Sequence, residues 1–178
     1  MLEDVNGSNL EPPDSFTHEE KLKWLMVTYG NDVIRIAYSY LKQKHLAEDV
    51  AQDVFIKCYE KMDTFRNESS YKTWLIKITI NKCKDVLKSW SYKNLFMVDY
   101  FTFKNTHSGW EQRPEYENDR ISYQVMKLPV KLREVIILYY YHEFSIEEIA
   151  TLLKTNPNTI KTRLHRGRLK LKDDLEGV

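Results

Sequence analysis

The chain has 178 residues, of which 42% are hydrophobic and 30% charged, and its five Gly and five Pro are too few for a turn-rich sheet protein. No apolar run approaches the roughly 18 residues that a membrane span needs, and two Cys are too few for a disulfide framework. The formal charge of +1 hides a sorted distribution, because residues 1–20 carry six acids and no Lys or Arg, so residues 21–178 carry +7. We therefore predict an all-α protein of the reducing cytoplasm, with two small helical domains joined by a flexible linker.

The N-terminal half begins with polar residues and continues with helical periodicity. Residues 1–20 are acidic and contain two consecutive Pro, which predicts a flexible tail. Thr17 and Glu20 have the spacing of a capping box, so a helix is expected to begin there and to end near Gly30. Apolar residues at helical spacing predict three more helices, over about residues 33–41, 46–62 and 71–90. These helices form a predicted domain over residues 21–92.

The C-terminal half is separated from the first by a stretch without helical pattern. Residues 93–120 show no sustained periodicity, which predicts a linker. Periodicity then returns in four helices, over about residues 121–128, from Pro129 onward, and over 146–153 and 157–175. They form a predicted domain over residues 121–178, in which the last two helices have the arrangement of a helix-turn-helix.

A segment near the C-terminal end of the sequence carries the strongest functional signal. Ser145 and Glu148 predict a second capping box, and Pro157 suits the first position of the next helix. From Lys154 to Lys172 there are seven Lys or Arg and no acid. A basic run alone is more often a solvated helix surface, but a basic helix in this setting fits the major groove of DNA. The combination of caps, Pro and apolar stripes favours DNA binding.

Two stretches of the sequence resemble domains of bacterial sigma factors. Residues 128–172, LPVKLREVIILYYYHEFSIEEIATLLKTNPNTIKTRLHRGRLKLK, resemble the domain that recognises the promoter −35 element. Residues 47–90, AEDVAQDVFIKCYEKMDTFRNESSYKTWLIKITINKCKDVLKSW, resemble the domain that binds core polymerase and recognises the −10 element. Two such domains with a short linker are similar to the extracytoplasmic-function (ECF) group. The family pattern usually has Gly where Lys154 stands and Ala where Gly167 stands, and it does not include the acidic tail.

The resemblance implies that the helix over residues 46–62 docks on the coiled coil of the largest (β′) polymerase subunit. The implied contact residues form an acidic edge with nearby aromatic rings: Glu48, Asp49, Gln52, Asp53, Phe55 and Tyr59. Acids near a helix N-terminus also stabilise the helix dipole, which accounts equally well for Glu48 and Asp49 alone but less well for Gln52 and Asp53.

The resemblance also implies that the loop after this helix, and the helix that follows, hold one unpaired −10 strand. Holding a strand needs aromatic rings, polar groups for base edges and cations for phosphates. The implied residues are Arg66, Asn67, Glu68, Ser69, Tyr71, Lys77, Asn81 and Lys84. We expect Tyr71 to be the stacking ring and Trp74 to be a core residue.

The −35 surface is assigned to the last helix. The implied DNA-binding residues are Asn158, Thr159, Lys161, Thr162, Arg163, His165, Arg166 and Arg168. Among them, Arg163 and Arg168 suit phosphate or structural contacts better than base contacts.

These features imply a sigma factor that recognises −35 and −10 elements, helps to melt the −10 region and directs transcription initiation. The implied partners are core RNA polymerase, through its β′ and β subunits, promoter DNA and an anti-sigma factor, without membrane insertion. The linker could follow the path of the RNA or be an ordinary tether, and the acidic tail could shield basic DNA-binding surfaces.

Two other classes of protein remain open at this point. One is a stand-alone helix-turn-helix regulator whose N-terminal half dimerises or senses a ligand, and the other is an inhibitor that binds polymerase. An enzyme is the least supported class, since the sequence shows no acid–base or nucleophile pattern and no ligand spacing for a metal. We expect no catalytic residue, metal or cofactor.

Overall fold

The structure is a computed structural model, and it describes residues 10–65, 69–89 and 117–176. Within these ranges the chain forms seven α-helices, one short 3-10 helix and no strand, which confirms the all-α prediction. The chain divides into two compact units, Met1–Lys84 and Asp85–Val178. No helix in the described ranges has the length and apolar character needed to cross a lipid bilayer.

The first unit is built from three helices around one apolar core. They are α1 (His18–Leu41), α2 (Lys44–Lys61) and α3 (Tyr71–Lys88), with a 3-10 helix (Met62–Thr64) after α2. Buried side chains from all three helices form the core: Leu25, Val33, Ile36, Ala47, Val54, Cys58, Leu75, Ile80 and Cys83. Burial raises the pKa of both thiols to about 12, so Cys58 and Cys83 behave as small apolar residues.

The start of α1 is the capping box that the sequence predicts. The Thr17 hydroxyl accepts a hydrogen bond from the Glu20 amide at 3.3 Å, and the Thr17 amide donates to Glu20 Oε2 at 2.8 Å. The hydrogen bond from the Thr17 amide, followed by one from the Thr17 side chain, lowers the pKa of the Glu20 carboxyl. Both partners lie within one helical turn, which is why sequence spacing alone identifies this helix start.

The predicted break at Gly30 is wrong, because α1 continues through this residue as one helix. Tyr29 and Val33 are buried on either side of it, and their packing outweighs the cost of about 1 kcal/mol that Gly imposes inside a helix. A Cβ added to Gly30 would meet no described atom within 4 Å, so this position is open to a larger residue.

Residues 10–16 differ from the flexible tail that their composition predicts. Pro12 is buried, the Tyr29 hydroxyl donates a hydrogen bond to the Leu10 carbonyl at 2.9 Å, and the Phe16 amide donates to the Pro13 carbonyl at 3.1 Å. Residues 18–20, which the prediction also placed in the tail, form the first turn of α1. Residues 1–9 of the predicted tail lie outside the described residues.

In the second unit, the described residues 117–176 form four helices, close to the predicted boundaries. They are α4 (Glu117–Lys127), α5 (Val130–Tyr140), α6 (Ile146–Leu153) and α7 (Pro157–Glu176). Their core consists of buried apolar residues: Val125, Leu128, Val135, Leu138, Ile149, Leu152, Ile160 and Leu164. Residues 117–120, predicted as linker, belong to α4, and residues 93–116 of the predicted linker lie outside the described residues.

Gly167 lies on the side of α7 that packs against α5. A Cβ added at this position would stand 3.0 Å from Ile136 Cγ1 and 3.1 Å from its Cδ1, and Ile136 is buried. Gly here therefore lets the two helices approach, whereas the Ala of the usual family pattern would require Ile136 to shift.

The two helical glycines give a matched test of this packing. Gly30→Ala should raise the free energy of unfolding by about 0.5–1 kcal/mol, because Ala is the better helix former and enters open space. Gly167→Ala should lose this gain to the contact with Ile136, so that its unfolding free energy stays level or falls. Urea denaturation followed by circular dichroism measures both changes. An equal gain at the two positions would contradict the close approach of α7 to α5.

Candidate nucleic-acid and polymerase interfaces

The turn between α6 and α7 is fixed by caps on both sides. At the start of α6, the Ser145 hydroxyl accepts from the Glu148 amide at 3.2 Å, and the Ser145 amide donates to Glu148 Oε2 at 2.8 Å. At the start of α7, Asn156 Oδ1 accepts from the Asn158 amide at 2.8 Å, and Pro157 takes the first helical position. The predicted helix-turn-helix is thus formed, with its second helix held at its N-terminus.

Lys154 ends α6 in the left-handed backbone region, with φ 51° and ψ 51°. This is the position where the family pattern usually has Gly, which adopts that conformation without steric cost. A residue with a Cβ pays roughly 1 kcal/mol there. The departure from the pattern therefore lowers stability slightly and leaves the turn geometry intact.

The outer surface of α7 carries most of the predicted −35 residues. Ile160, Leu164 and Gly167 are buried on the inner side of the helix. The exposed residues are Asn158, Lys161, Thr162, His165 and Arg166, with Arg168 also exposed and Thr159 partly so. The Thr162 hydroxyl donates to the Asn158 carbonyl of the same helix at 2.9 Å, which fixes the orientation of the hydroxyl. These side chains form a polar and basic strip that faces solvent.

Arg163 and Arg168 connect α7 to α5. Arg163 Nη1 lies 3.2 Å from Glu134 Oε1, and the exposed fractions of the two side chains are 22% and 6%. Arg168 Nε donates to the Tyr140 hydroxyl at 2.8 Å, and its guanidinium lies 5.6 Å from the centre of that ring. Both arginines thus have structural partners, as the sequence analysis allowed, and Arg163 points towards α5 rather than outward.

The predicted −10 residues fall in two places. Ser69 is exposed before α3, and Lys77 and Asn81 are exposed one turn apart on α3, with Lys84 partly exposed on the same side. Arg66, Asn67 and Glu68 lie outside the described residues. Ser70 caps α3, since its hydroxyl accepts from the Thr73 amide at 3.2 Å.

An aromatic cluster joins the two ends of this loop. Phe65 lies against Tyr71 and Trp74, with ring centroids 4.3 Å and 4.8 Å apart. Tyr71 is buried and Trp74 is partly exposed, which is the reverse of the exposures that the sequence predicted for these two rings. The sequence analysis missed Phe65, although an aromatic residue directly before a polar loop is a signal that could have identified it.

The exposed side of α2 differs from the predicted docking edge at one aromatic position. Glu48, Asp49, Gln52 and Asp53 are exposed, and Asp53 Oδ2 accepts from Lys82 Nζ at 3.0 Å. Phe55 is only 7% exposed and belongs to the core, so its predicted role as a contact anchor is wrong.

Ile56 and Tyr59 provide the apolar part of this side. Their exposed fractions are 59% and 43%, and they continue a stripe that begins with Asp49 and Gln52 at helical spacing. Ile56 was not predicted from the sequence, although its helical spacing from Gln52 and Tyr59 is a signal that could have identified it. We refer to Asp49, Gln52, Ile56 and Tyr59 as the α2 stripe.

Within residues 10–65, 69–89 and 117–176, no three His, Cys, Asp or Glu side chains are grouped so that they could bind a metal ion.

Comparisons with known proteins identify the family. Models of Sigma-70 region 2 and Sigma-70 region 4 match residues 25–91 and 119–171. The RNA polymerase sigma factor SigV of Bacillus subtilis is 31% identical over 152 residues, which cover 83% of this chain and 89% of SigV. The ECF sigma factor SigW of the same organism is 30% identical over 168 residues, covering 84% and 86%. The chain belongs to the ECF sigma factors of RNA polymerase.

Two solved structures have the same fold. CnrH, in complex with the cytosolic domain of CnrY, has a TM-score of 0.64 and 23% identity, covering 89% of this sigma factor and 90% of that chain. The sigma factor RpoE of Bartonella quintana, in complex with the anti-sigma factor NepR, has a TM-score of 0.64 and 24% identity, covering 86% and 96%. Region 2 thus corresponds to α1–α3 and region 4 to α4–α7.

The arginines of α7 can be separated by their effect on stability. Arg163→Met should lower the free energy of unfolding by about 1–3 kcal/mol, because it leaves the buried Glu134 carboxylate without this partner. Arg166→Met, at an exposed position of the same helix, should change it by less than about 0.5 kcal/mol. Urea denaturation of both variants provides the measurement. Equal losses would show that Arg163 does not stabilise the region 4 domain through Glu134.

Proposed function

We propose that this sigma factor binds core RNA polymerase through the α2 stripe and recognises two promoter elements, −35 through α7 and −10 through α3 and its preceding loop. It also helps to open the −10 region by holding one strand. The observation that carries the proposal is the exposed polar and basic strip of α7, presented by a capped helix-turn-helix. Transcription initiation itself follows from membership of the family.

The length of the α7 strip suits a short DNA element. Asn158, Lys161 and Arg166 lie on the exposed surface, and the first and last of them are eight residues apart. At 1.5 Å per residue they span about 12 Å of helix, which is roughly three to four base pairs of B-DNA. Arg is suited to guanine and Asn to adenine in the major groove, while Lys161 can reach a phosphate. The N-terminal amides of α7 can bind a further phosphate.

The −10 surface suits a single strand rather than a duplex. Trp74 is partly exposed, and Lys77 and Asn81 follow it on α3 as an exposed cation and amide. Such a combination holds an unpaired strand by stacking and by phosphate contact. We assign the stacking role to Trp74 in place of Tyr71, because Tyr71 is buried against Phe65.

The α2 stripe has the chemistry of a docking surface. Asp49 and Gln52 can complement a basic partner, and Ile56 and Tyr59 supply apolar area that is exposed in the free protein. Interfaces of this kind depend on a few apolar anchors with a polar surround, while charge sets orientation and on-rate. The partner is the β′ coiled coil of core polymerase, and the region 4 domain contacts the β subunit. NepR is the anti-sigma factor bound to the Bartonella protein, and a partner of the same kind would compete for these surfaces.

The docking role of the α2 stripe is tested by Ile56→Ser. Ile56 is an apolar anchor that docking would bury, so its replacement should weaken binding to core polymerase about 10-fold or more. Val27→Ser serves as the control, because Val27 is 80% exposed on α1 and lies outside the stripe. Fluorescence anisotropy of the labelled sigma factor titrated with core polymerase measures both affinities. Equal affinities for the two variants would contradict docking through α2.

The −35 role of α7 is tested by Arg166→Ala in the holoenzyme. Removal of a good base contact costs about 1–3 kcal/mol of discrimination, whereas a phosphate contact weakens all sequences alike. Run-off transcription from a promoter with an intact −35 element should therefore fall by roughly 5-fold to 100-fold, with nonspecific DNA binding changed much less. The same promoter with a scrambled −35 element is the control template. Equal losses on both templates would contradict base recognition by Arg166.

A further inference from the structure

Part of the acidic N-terminal segment lies next to the proposed −10 surface. Residues 10–16 contribute one wall of a cleft of about 510 Å³, whose opposite wall is the start of α3. The segment provides Glu11, Pro12 and Asp14, and the opposite wall includes Ser69 and Tyr71. We call residues 10–16 the acidic strap. It precedes the part of the chain that the region 2 model matches, which begins at residue 25.

The acidic strap is held at both ends. At one end, Leu10 accepts the hydrogen bond from the Tyr29 hydroxyl at 2.9 Å, and Pro12 is buried nearby. At the other end, the chain enters the capping box between Thr17 and Glu20. These anchors keep the carboxylates of the strap beside the cleft.

The charge of the strap opposes that of the surfaces that bind nucleic acid. Glu11 and Asp14 are exposed acids, and Lys21 is the cation that lines the same cleft. Burial, followed by the negative charge of Glu11, raises the pKa of the Tyr71 hydroxyl, and the same two causes raise that of Tyr29. The negative charge of the strap therefore acts on Tyr71, which lines the cleft. A DNA strand brings one phosphate per nucleotide to this place, within the Debye length of about 8–10 Å over which charges interact.

We propose that the acidic strap is an autoinhibitory contact, which covers the −10 surface at Ser69–Tyr71 and must be displaced before a single strand can bind. This inference rests on the proposed function, since it takes the start of α3 to be part of the −10 surface. The strap lowers the affinity of the −10 surface for a single strand, so that weakly matching sequences bind less often. Displacement is feasible because the strap is anchored by a hydrogen bond and a small apolar contact rather than by a helix of its own.

The experiment compares two doubly neutralised variants in the holoenzyme. Glu11→Gln/Asp14→Asn removes the carboxylates that face the cleft. Glu19→Gln/Asp32→Asn removes the same number of charges from α1, at positions that do not line the cleft. The probe is a fluorescent oligonucleotide with the non-template −10 strand of a promoter that the holoenzyme transcribes. Anisotropy is measured at several salt concentrations.

The strap variant should bind the strand about 3–10-fold more tightly than the native holoenzyme at low salt, with a difference that shrinks as salt screens the charges. The α1 variant should stay within about 2-fold of the native protein. Amide hydrogen exchange of residues 10–16 should also rise in the native holoenzyme when the strand is added. Such a rise reports displacement, which a merely electrostatic effect would not produce.

Equal affinities for the two variants, or unchanged exchange in the strap, would overturn the autoinhibitory contact. Weaker binding by the strap variant would also overturn it, because the carboxylates would then be part of the base-binding site. A native holoenzyme that binds the strand no better than core polymerase alone would instead contradict the proposed −10 recognition, and the inference would fall with it. The failure of the inference and the failure of the proposed function are thus distinguishable.

Discussion

The proposed recognition surface of this sigma factor depends on the contact between α5 and α7. Gly167 leaves no side chain between the two helices, and Ile136 fills the space beside it. Arg163 adds an ion pair with the buried Glu134 one turn away, so apolar and charged contacts fix the same side of α7. Because these contacts fix one side of α7, the polar groups on its opposite side keep a fixed orientation relative to α5. Substitutions there can change which DNA sequence is bound without changing how the helix is held.

Helix starts were predictable from the sequence because their causes are local. Both capping boxes, at Thr17 and Ser145, form between residues three positions apart, and the helix-turn-helix follows from its caps and apolar stripes. Gly30 was misread because intrinsic propensity is a weak term, and burial of Tyr29 and Val33 on either side of it favours the helix. At Lys154 the intrinsic preference of the residue is also overridden. Here α6 ends in the left-handed backbone conformation without the Gly that usually adopts it.

The exposed side of each helix was harder to predict, because it depends on partners that are distant in the sequence. Phe55 and Ile56 are adjacent and both apolar, and only the packing of α2 decides that Phe55 enters the core and Ile56 faces solvent. Tyr71 is buried and Trp74 is partly exposed, and both rings pack against Phe65 from the other side of the loop. Assignments to Arg66–Glu68 and to most of the linker fall outside the described residues and stay predictions.

The sorted charge of the chain gains a physical meaning from these positions. Of the seven cations between Lys154 and Lys172, Arg163 and Arg168 bond to α5, so fewer are available to phosphates than the sequence suggests. Since nonspecific affinity grows with each phosphate that is neutralised, the pairing of these two arginines with α5 lowers the electrostatic affinity of the free protein for DNA. The proposed acidic strap would lower it further at the −10 surface. Under the proposed function, core polymerase supplies the remaining contacts of promoter binding, which ties recognition of DNA to assembly of the holoenzyme.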